Sequence, residues 1–568
     1  MPDPLSILLK RALRTTSLRC LALGSALLPA LAASAQDSPP IPDPGNTPSR
    51  RVAPTAAPES SDRFRVRITP GIASEARRLL ESNRDARPRL LVLLCENKGR
   101  LSGRDPLDAP FLERPQPILS MPITSAMLAE PATFLLGPDE IDTVMVPDRL
   151  DHLSGGFLAR AVLDLGLARG HAATGNPVST ITSVEFAPDR DRTFDLVVDR
   201  TRPTVELPTA SNLKWIELDS PSITRTLGRP VRHRAGVAFP PAYFDLDAKR
   251  RFWPVIYVIP GFGGDHRAAT RYAAMLRDPS MRSYLPQAVW VVLDPNDRLG
   301  HHGFADGDNF GPRGTALVAE FIPWLEKRFR LVPDSKGRFV TGHPSGGWSS
   351  LWLQLQHPDV FGGCFSSAPD PVDFAAFGTV DLGTDANLFE DADSDPRASY
   401  RAPLTADRDH VMMTIPEEIG MERALAPDFT SGEQWAAWNA MFSGRDAASG
   451  LPLAAFDLET GLIDRTVIER DWSRYDIAAM LRADPERIAP VFRDKVRLLC
   501  GDRDSFYLDL AVERLAKAVA EARSRLESPD GPGYVELVPG ATHGTIVPIA
   551  MQRWYPELRR LVAEAPER

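Results

Sequence analysis

Apolar and polar residues follow two different patterns in the two parts of this 568-residue chain. Across residues 61–240, short apolar segments separated by turn residues predict strands at 64–68, 90–95, 133–136, 157–165, 193–198 and 214–218, with one helix at 72–82. Such spacing is typical of an all-β, sandwich-like accessory domain, either a substrate-binding module or a structural lid. No repeat of blade length occurs, which disfavours a propeller.

Residues 241–568 alternate apolar strands with helices instead. Apolar segments at 255–260, 338–341, 361–367, 496–501 and 534–538 predict strands, and a helix is predicted at 346–356. Strands that alternate with helices indicate a mostly parallel sheet flanked by helices. A cap insertion is predicted at about 380–490. Its Trp-rich helix near Trp435 and Trp438 lines a substrate pocket or forms the cap's own core.

The turn between the strand at 338–341 and the next helix reads Gly342-His343-Pro344-Ser345-Gly346-Gly347. The nucleophile elbow G-x-S-x-G places a serine at the position that Pro344 holds here. Proline has no hydroxyl, and its ring fixes φ at about −65°, whereas an elbow needs a strained backbone. Ser345 becomes the substitute nucleophile only if the turn shifts by one residue.

Three further segments supply the other parts of an acyl-transfer site. The glycine-rich loop after the strand at 255–260 predicts an oxyanion hole built by Phe262 and Gly263, with the backbone N–H of Ser345. Asp504, after the strand at 496–501, is the predicted acid, with Asp502 as its competitor. His543 lies in a loop after the last strand and is the predicted general base.

These motifs, in the order Ser, Asp, His, resemble those of a known family. The segments 257–264, 299–306, 342–348 and 501–504 are similar to the putative-esterase family of α/β-hydrolases, which includes esterase D, feruloyl and enterobactin esterases and the mycolyltransferases. The resemblance implies carboxylic-ester hydrolysis through a Ser-His-Asp triad and an acyl-enzyme, with no cofactor. Pro344 occupies the family's nucleophile position.

That departure leaves several functional hypotheses open. The chain is an esterase with Ser345 as nucleophile or with impaired activity, a catalytically inactive pseudoesterase that binds a ligand or carbohydrate, or an esterase whose sequence is in error at Pro344. The substrate is a small-molecule or polysaccharide-linked ester in the enzyme hypothesis.

The first residues predict export. Basic residues precede an apolar run at 20–33, and Ala33-Ser34-Ala35 matches a signal-peptide cleavage site. We therefore predict a signal peptide at 1–35, a disordered Pro-rich linker at 36–60, and a periplasmic or secreted protein without a membrane span after cleavage. A retained N-terminal anchor is the alternative.

The net charge and the possible metal ligands limit which binding partners the sequence predicts. The net charge of −9, more negative without the basic leader, disfavours nucleic acid and anionic membranes. Cys95, Cys364 and Cys500 are predicted to be inert core residues. The pair His301-His302 is predicted to belong to a polar loop beside the cleft rather than to a metal site.

Overall fold

The computed structural model describes residues 62–566, apart from 84, 109–114, 188–191, 404 and 406–407. The predicted signal peptide (1–35) and linker (36–60) lie outside these residues. No helix in the described part of the chain is both long and apolar enough to span a membrane.

A nine-stranded sheet forms the N-terminal part of the structure. Its strands are β1 (Arg63–Ile68), β2 (Arg89–Glu96), β3 (Ile118–Pro122), β4 (Thr133–Leu136), β5 (Val144–Val146), β6 (Gly155–Asp164), β7 (Pro177–Ser179), β8 (Thr182–Phe186) and β9 (Thr193–Thr201). They run in the order β4-β1-β9-β7-β6-β2-β3-β5, and β8 pairs with β6. Only β1 and β9 pair in parallel. The predicted β-rich region is confirmed, and its strands belong to one hydrogen-bonded sheet.

A second sheet has eight strands in the order β10-β11-β13-β12-β18-β19-β22-β23. They are β10 (Leu213–Asp219), β11 (Arg232–Ala238), β12 (Val255–Ile259), β13 (Val289–Leu293), β18 (Arg338–Gly342), β19 (Gly363–Ser367), β22 (Val496–Gly501) and β23 (Tyr534–Val538). Pairing is antiparallel at β10 and β11 and parallel beyond them. β12, β13, β19 and β22 are buried throughout, as expected of strands covered by helices on both faces.

The predicted division at residues 240 and 241 falls after two strands of this second sheet. The short apolar pattern of β10 resembles that of the strands before it and therefore suggests the N-terminal domain. In the structure β10 pairs with β11 from Leu213 to Asp219, and β11 pairs with β13. The second sheet therefore begins at Leu213, because backbone pairing rather than local pattern decides which sheet a strand joins.

The helices belong to three places: the N-terminal part, the two faces of the second sheet, and the cap. They are α1 (Pro70–Ser82, in the N-terminal part), α2 (Pro221–Leu227), α3 (Ala269–Arg277), α4 (Arg313–Ala316), α5 (Ile322–Arg328), α6 (Ser345–Gln356), α7 (Ile415–Leu425), α8 (Gln434–Phe442), α9 (Arg465–Val467), α10 (Ile477–Ala483), α11 (Pro485–Lys495), α12 (Leu508–Ser524) and α13 (Ile546–Glu564). Short two-stranded pairs join β14 (Asn296–Asp297) to β15 (Gly300–His301), β16 (Asp306–Gly307) to β17 (Gly311–Pro312), and β20 (Ala398–Pro403) to β21 (Asp409–Thr414).

The cap insertion has local sequence signals that explain its helices. Thr414 caps α7 in a reciprocal capping box with Glu417, and Pro416 at the start of the helix needs no backbone donor. The carboxylate of Glu422 in turn accepts hydrogen bonds of 2.8 Å from the backbone N–H groups of Trp435 and Ala436 at the start of α8. The two cap helices are thereby fixed to each other.

The N-terminal sheet packs directly on the cap. Leu91, Leu93 and Val162 on one face of the sheet form a buried apolar cluster with Met421 and Leu425 of α7. The opposite face of the same sheet buries its own separate core. The N-terminal part thus makes apolar contacts with the cap of the hydrolase part.

Candidate active site

The candidate site lies where the parallel strands of the second sheet end. The register pairs Ile259 with Gly342, Gly342 with Ser366, and Gly501 with Val538. Because these strands are parallel, the loops that follow them emerge on the same edge of the sheet. The loops carrying Phe262, Pro344, Asp504 and His543 are therefore neighbours in space although they are far apart in the sequence.

Two positions in the turn between β18 and α6 have no room for a side chain. A Cβ on Gly342 would lie 2.2 Å from the backbone carbon of Gly346, and a Cβ on Gly346 would lie 1.9 Å from the carbonyl oxygen of Ile259. The turn therefore requires glycine two positions before and two positions after Pro344. That is the spacing of G-x-S-x-G centred on Pro344.

The backbone at this position is relaxed, unlike the strained turn of a working elbow. Pro344 has φ −75° and ψ −47°, a right-handed helical conformation, and it stands at the N-cap of α6. Its φ agrees with the value that the pyrrolidine ring imposes. Ser345 is the first residue of the helix. The chain therefore passes from β18 into α6 without the positive φ that normally exposes a nucleophile.

The predicted acid and base are hydrogen-bonded to each other. His543 Nδ1 lies 2.8 Å from Asp504 Oδ2, and the Asp504 side chain is completely buried. The other Asp504 oxygen accepts a 2.9 Å hydrogen bond from the backbone N–H of Phe506. The competitor, Asp502, instead accepts a hydrogen bond from the N–H of Gly540. Because Asp504 is an acceptor, His543 carries its proton on Nδ1 and leaves Nε2 as the basic nitrogen.

Two aromatic rings enclose the His543 imidazole. The ring of Phe506 meets it edge-on at 4.7 Å, and the ring of His343 lies 4.4 Å away between centroids. His343 Nδ1 is 3.1 Å from the hydroxyl of Ser367. Burial, followed by the nearby charge of His543, holds the pKa of His343 well below its usual value. His343 is therefore a neutral ring that supports His543 sterically.

The Ser345 hydroxyl makes no hydrogen bond to either member of this pair. Its hydroxyl oxygen is buried and has no hydrogen-bond partner of good geometry in the described part of the chain. It faces a narrow cleft that is also lined by His301, Asp370, Trp438 and Met441. α8 of the cap forms one wall.

Asp370 gives this cleft an unusual carboxyl group. The indole N–H of Trp438 donates a 2.9 Å hydrogen bond to Asp370 Oδ2. Burial raises the pKa of Asp370 to about 6, although the nearby Ser345 hydroxyl and Trp438 oppose the shift. The Ser345 hydroxyl thus lies close enough to affect the Asp370 carboxyl, although it makes no well-formed hydrogen bond.

The predicted oxyanion loop is held by residues from the following loop. His301 accepts a hydrogen bond from the N–H of Gly303 at Nδ1, so its Nε2 donates to the carbonyl oxygen of Pro260 at 3.0 Å. The Asn296 amide donates to the carbonyl of Gly264 at 2.8 Å. Gly263 has φ +80°, a conformation that favours glycine. These contacts fix both ends of the loop that carries Phe262.

His301 and His302 are both buried, so the loop predicted to be polar is part of the protein interior. The reason is the bonding of His301 to the backbone of the oxyanion loop. Within residues 62–566, leaving aside the undescribed positions, no group of three or more His, Cys, Asp and Glu side chains lies close enough to hold a metal ion.

Several site residues have no clear signal in the sequence. Arg401, on the cap strand β20, donates from Nε to the Asp504 carbonyl at 3.0 Å and binds both carboxylate oxygens of Asp509 at 2.9 and 3.0 Å. In the sequence, His343 is only a bulky neighbour of the elbow position, and Asp370 only the start of an insertion. Asp370 follows β19 at the same edge as Asp504, which is the one available signal. For Arg401 the sequence offers none.

Residues 228–545 match the family described as "Putative esterase". An esterase of Mycobacterium tuberculosis is 28% identical over 109 residues, which is 19% of this chain and 23% of that protein. The aligned part thus spans less than a quarter of this curated relative's length.

The chain is also similar to solved structures of other proteins. A ferulic acid esterase of Anaeromyces mucronatus, in complex with ferulic acid, is 14% identical and has a TM-score of 0.30, with 64% of this chain and 92% of that chain covered. An S-formylglutathione hydrolase of Agrobacterium tumefaciens is 13% identical with a TM-score of 0.33, and 64% and 98% are covered. Since the family match at residues 228–545 spans more than half of the sequence, the chain belongs to the putative-esterase family of α/β-hydrolases.

Proposed function

We propose that this protein is an exported carboxylic-ester hydrolase in which the Asp504–His543 pair acts on water, without a nucleophile from the protein. The observation that carries the proposal is the 2.8 Å contact between His543 Nδ1 and Asp504, combined with proline at the nucleophile position. An oriented imidazole is the general base of ester hydrolysis, and this one is intact. The hydroxyl that it would normally activate is missing.

The chemistry then proceeds in two steps. His543 Nε2 takes a proton from water while the water oxygen bonds to the ester carbonyl carbon, and the carbonyl oxygen becomes an oxyanion. The backbone N–H groups of Phe262 and Ser345 are the donors that would stabilise it. As the bond to the alcohol oxygen breaks, the imidazolium returns its proton to that oxygen, which gives a carboxylic acid and an alcohol. Asp504 stabilises the imidazolium and is not itself protonated.

Slow turnover is expected from such a site. Triad hydrolases that lose a triad member keep a rate of about 10³–10⁴-fold over water. An acyl-enzyme route through Ser345 is the faster alternative. It requires a hydrogen bond between the Ser345 hydroxyl and His543, which the described residues do not make.

Variant proteins separate these routes with short-chain p-nitrophenyl esters. The water route predicts that His543→Ala removes most of the activity and that Ser345→Ala leaves it unchanged. His152→Ala is the matched control, because exposed imidazoles hydrolyse activated esters without any site and the His152 side chain is 58% exposed. Equal losses for His543→Ala and His152→Ala would refute the proposal. Loss of activity in Ser345→Ala would favour the acyl-enzyme route.

A second candidate is a catalytically inactive pseudoesterase that binds a ligand or a carbohydrate. The observation in its favour is Pro344, which leaves the assembled Asp504–His543 pair without a hydroxyl at the expected nucleophile position. In that case native protein, His543→Ala and Ser345→Ala all hydrolyse esters at the background rate. Esters or ester-substituted oligosaccharides still bind and raise the melting temperature.

The export part of the proposal rests on the sequence of residues 1–35 alone. The basic residues, the short apolar run and Ala33-Ser34-Ala35 support cleavage before Gln36. An exported protein meets extracellular or cell-envelope esters, which fits a small-molecule or polysaccharide-linked substrate.

A further inference from the structure

One loop of the N-terminal sheet reaches the candidate active site. It connects β6 to β7, and its Arg169 side chain lies over the oxyanion loop, with the guanidinium carbon 4.3 Å from the centroid of the Phe262 ring. The same guanidinium donates to the Asn296 side-chain oxygen at 3.1 Å and to the Gly432 carbonyl of the cap at 3.2 Å. A single side chain thus contacts the oxyanion loop, the loop beneath it and the cap.

Arg169 acts on the oxyanion loop by two routes. It covers the Phe262 ring directly, through a cation–π contact. It also orients Asn296, whose amide nitrogen donates to the Gly264 carbonyl at 2.8 Å. A residue of the N-terminal domain therefore restrains both the residue before Gly263 and the residue after it. Backbone donors of an oxyanion hole must be held in a fixed geometry toward the developing charge, so such restraint affects the rate.

The charge of Arg169 is not used in an ion pair. No described carboxylate lies within 4.0 Å of its guanidinium, and its hydrogen bonds go to neutral oxygens. Burial lowers the pKa of Arg169, and the more distant Glu433, Asp294 and Asp265 oppose the shift. A lysine could not reproduce this arrangement, because planar stacking on a ring together with two divergent N–H bonds needs a guanidinium.

We propose that Arg169 is a positioning residue of the esterase site, through which the N-terminal domain holds the oxyanion loop. The inference rests on the proposed function of that site. It assigns the accessory domain a role in the reaction, so that the oxyanion hole has its working geometry only when the domain is docked.

Arg169 is not the only described contact between the N-terminal sheet and the cap. The apolar cluster between Leu91, Leu93 and α7 lies at a different part of the interface. Arg87 makes another contact with the cap, a 3.2 Å hydrogen bond from its Nη2 to the Ser449 carbonyl. Arg87 therefore offers a matched control, an interdomain arginine that does not touch the oxyanion loop.

The test compares Arg169→Ala, Arg169→Lys and Arg87→Ala in the full chain by two measurements. The first is hydrogen exchange of the backbone N–H groups in a peptide covering residues 261–266. The second is the His543-dependent kcat and KM for a p-nitrophenyl ester, in the native protein or in the Pro344→Ser background. Arg169→Ala is expected to exchange faster at this loop and to lose about 10–100-fold in kcat with KM little changed. Arg87→Ala should show neither effect.

Chemical rescue distinguishes positioning from general destabilisation. Millimolar guanidinium should restore part of the kcat of Arg169→Ala and none of any loss in Arg87→Ala, while Arg169→Lys stays impaired. The inference is overturned if Arg169→Ala and Arg87→Ala behave alike, or if exchange rises without any loss of kcat. If His543→Ala shows that no site-dependent hydrolysis exists in either background, the proposed function fails, and the positioning role fails with it even where the loop loosens.

Discussion

Replacing Pro344 by serine should convert the site into a fast esterase. The substitution supplies a hydroxyl at the position framed by Gly342 and Gly346, next to His543 and the oxyanion loop. It also removes the ring that fixes φ, which lets the turn adopt the strained conformation of an elbow. The other parts of the site, including the 2.8 Å contact between Asp504 and His543, are already in place.

The expected gain in kcat follows from an upper limit and from the cost of straining the turn. Loss of the serine from a related triad costs about 2 × 10⁶ in kcat, which sets the upper limit. The present turn is relaxed, at φ −75°. Adopting a strained turn costs about 1–3 kcal/mol, or roughly 5- to 150-fold in population. A gain of about 10⁴- to 10⁵-fold in kcat is therefore expected.

Stability should change little, because the effects oppose each other. Serine is a better helix N-cap than proline, which makes no side-chain cap hydrogen bond here. That gain of about 0.5–2 kcal/mol is offset by roughly 0.4–1 kcal/mol from greater freedom of the unfolded chain. A similar melting temperature therefore shows that any change in activity is not a folding effect.

The assay is steady-state hydrolysis of short-chain p-nitrophenyl esters. Pro344→Ala is the control, since it removes the ring without adding a hydroxyl and should not gain activity. Adding His543→Ala to Pro344→Ser should abolish the gain. The prediction is refuted if Pro344→Ser folds but gains no esterase activity, or if Pro344→Ala gains as much. Either result would mean that His543 does not activate a hydroxyl at this position.

Four further outcomes are expected. Asp504→Asn should remove most His543-dependent hydrolysis without unfolding the protein, because an amide favours the wrong imidazole tautomer; wild-type rates would contradict this. Arg401→Ala should destabilise the protein by roughly 3 kcal/mol in urea unfolding, since Asp509 is left buried without its partner. Burial raises the pKa of Asp370 to about 6, so the stability it contributes at low pH is lost as the pH rises through 6. Asp370→Asn should flatten the fall in stability between about pH 4 and pH 6, measured as urea midpoints. Mass spectrometry of exported protein should find an N-terminus near Gln36, whereas intact Met1 in a cytosolic fraction would contradict export.

The strands and helices of the second sheet are predictable because its apolar segments are long and separated by clear turn signals. The elbow, the acid loop and the histidine loop follow those strands at fixed offsets, so residues such as Asp504 and His543 can be identified from the sequence. The sequence also predicts that Pro344 holds the nucleophile position, and the close contacts of Gly342 and Gly346 support that prediction.

Contacts between distant segments are not predictable in the same way. Arg169 reaches Phe262 from another domain, and Arg401 reaches Asp504 across 103 positions, and neither arginine lies in a recognisable pattern. The sequence assigns β10 to the wrong domain for a related reason, because it does not reveal that β10 pairs with β11. Pairing partners and interdomain contacts depend on tertiary packing, which local periodicity does not encode.

The central claim is that His543 activates water directly and that no acyl-enzyme forms. Rapid mixing of a large amount of native protein with p-nitrophenyl acetate, followed by acid quench and peptide mapping, tests it most directly. The account predicts linear release of nitrophenolate from the first turnover, with no acyl group on any serine and with the rate lost in His543→Ala. A burst stoichiometric with the protein and an acyl group on Ser345 would contradict it.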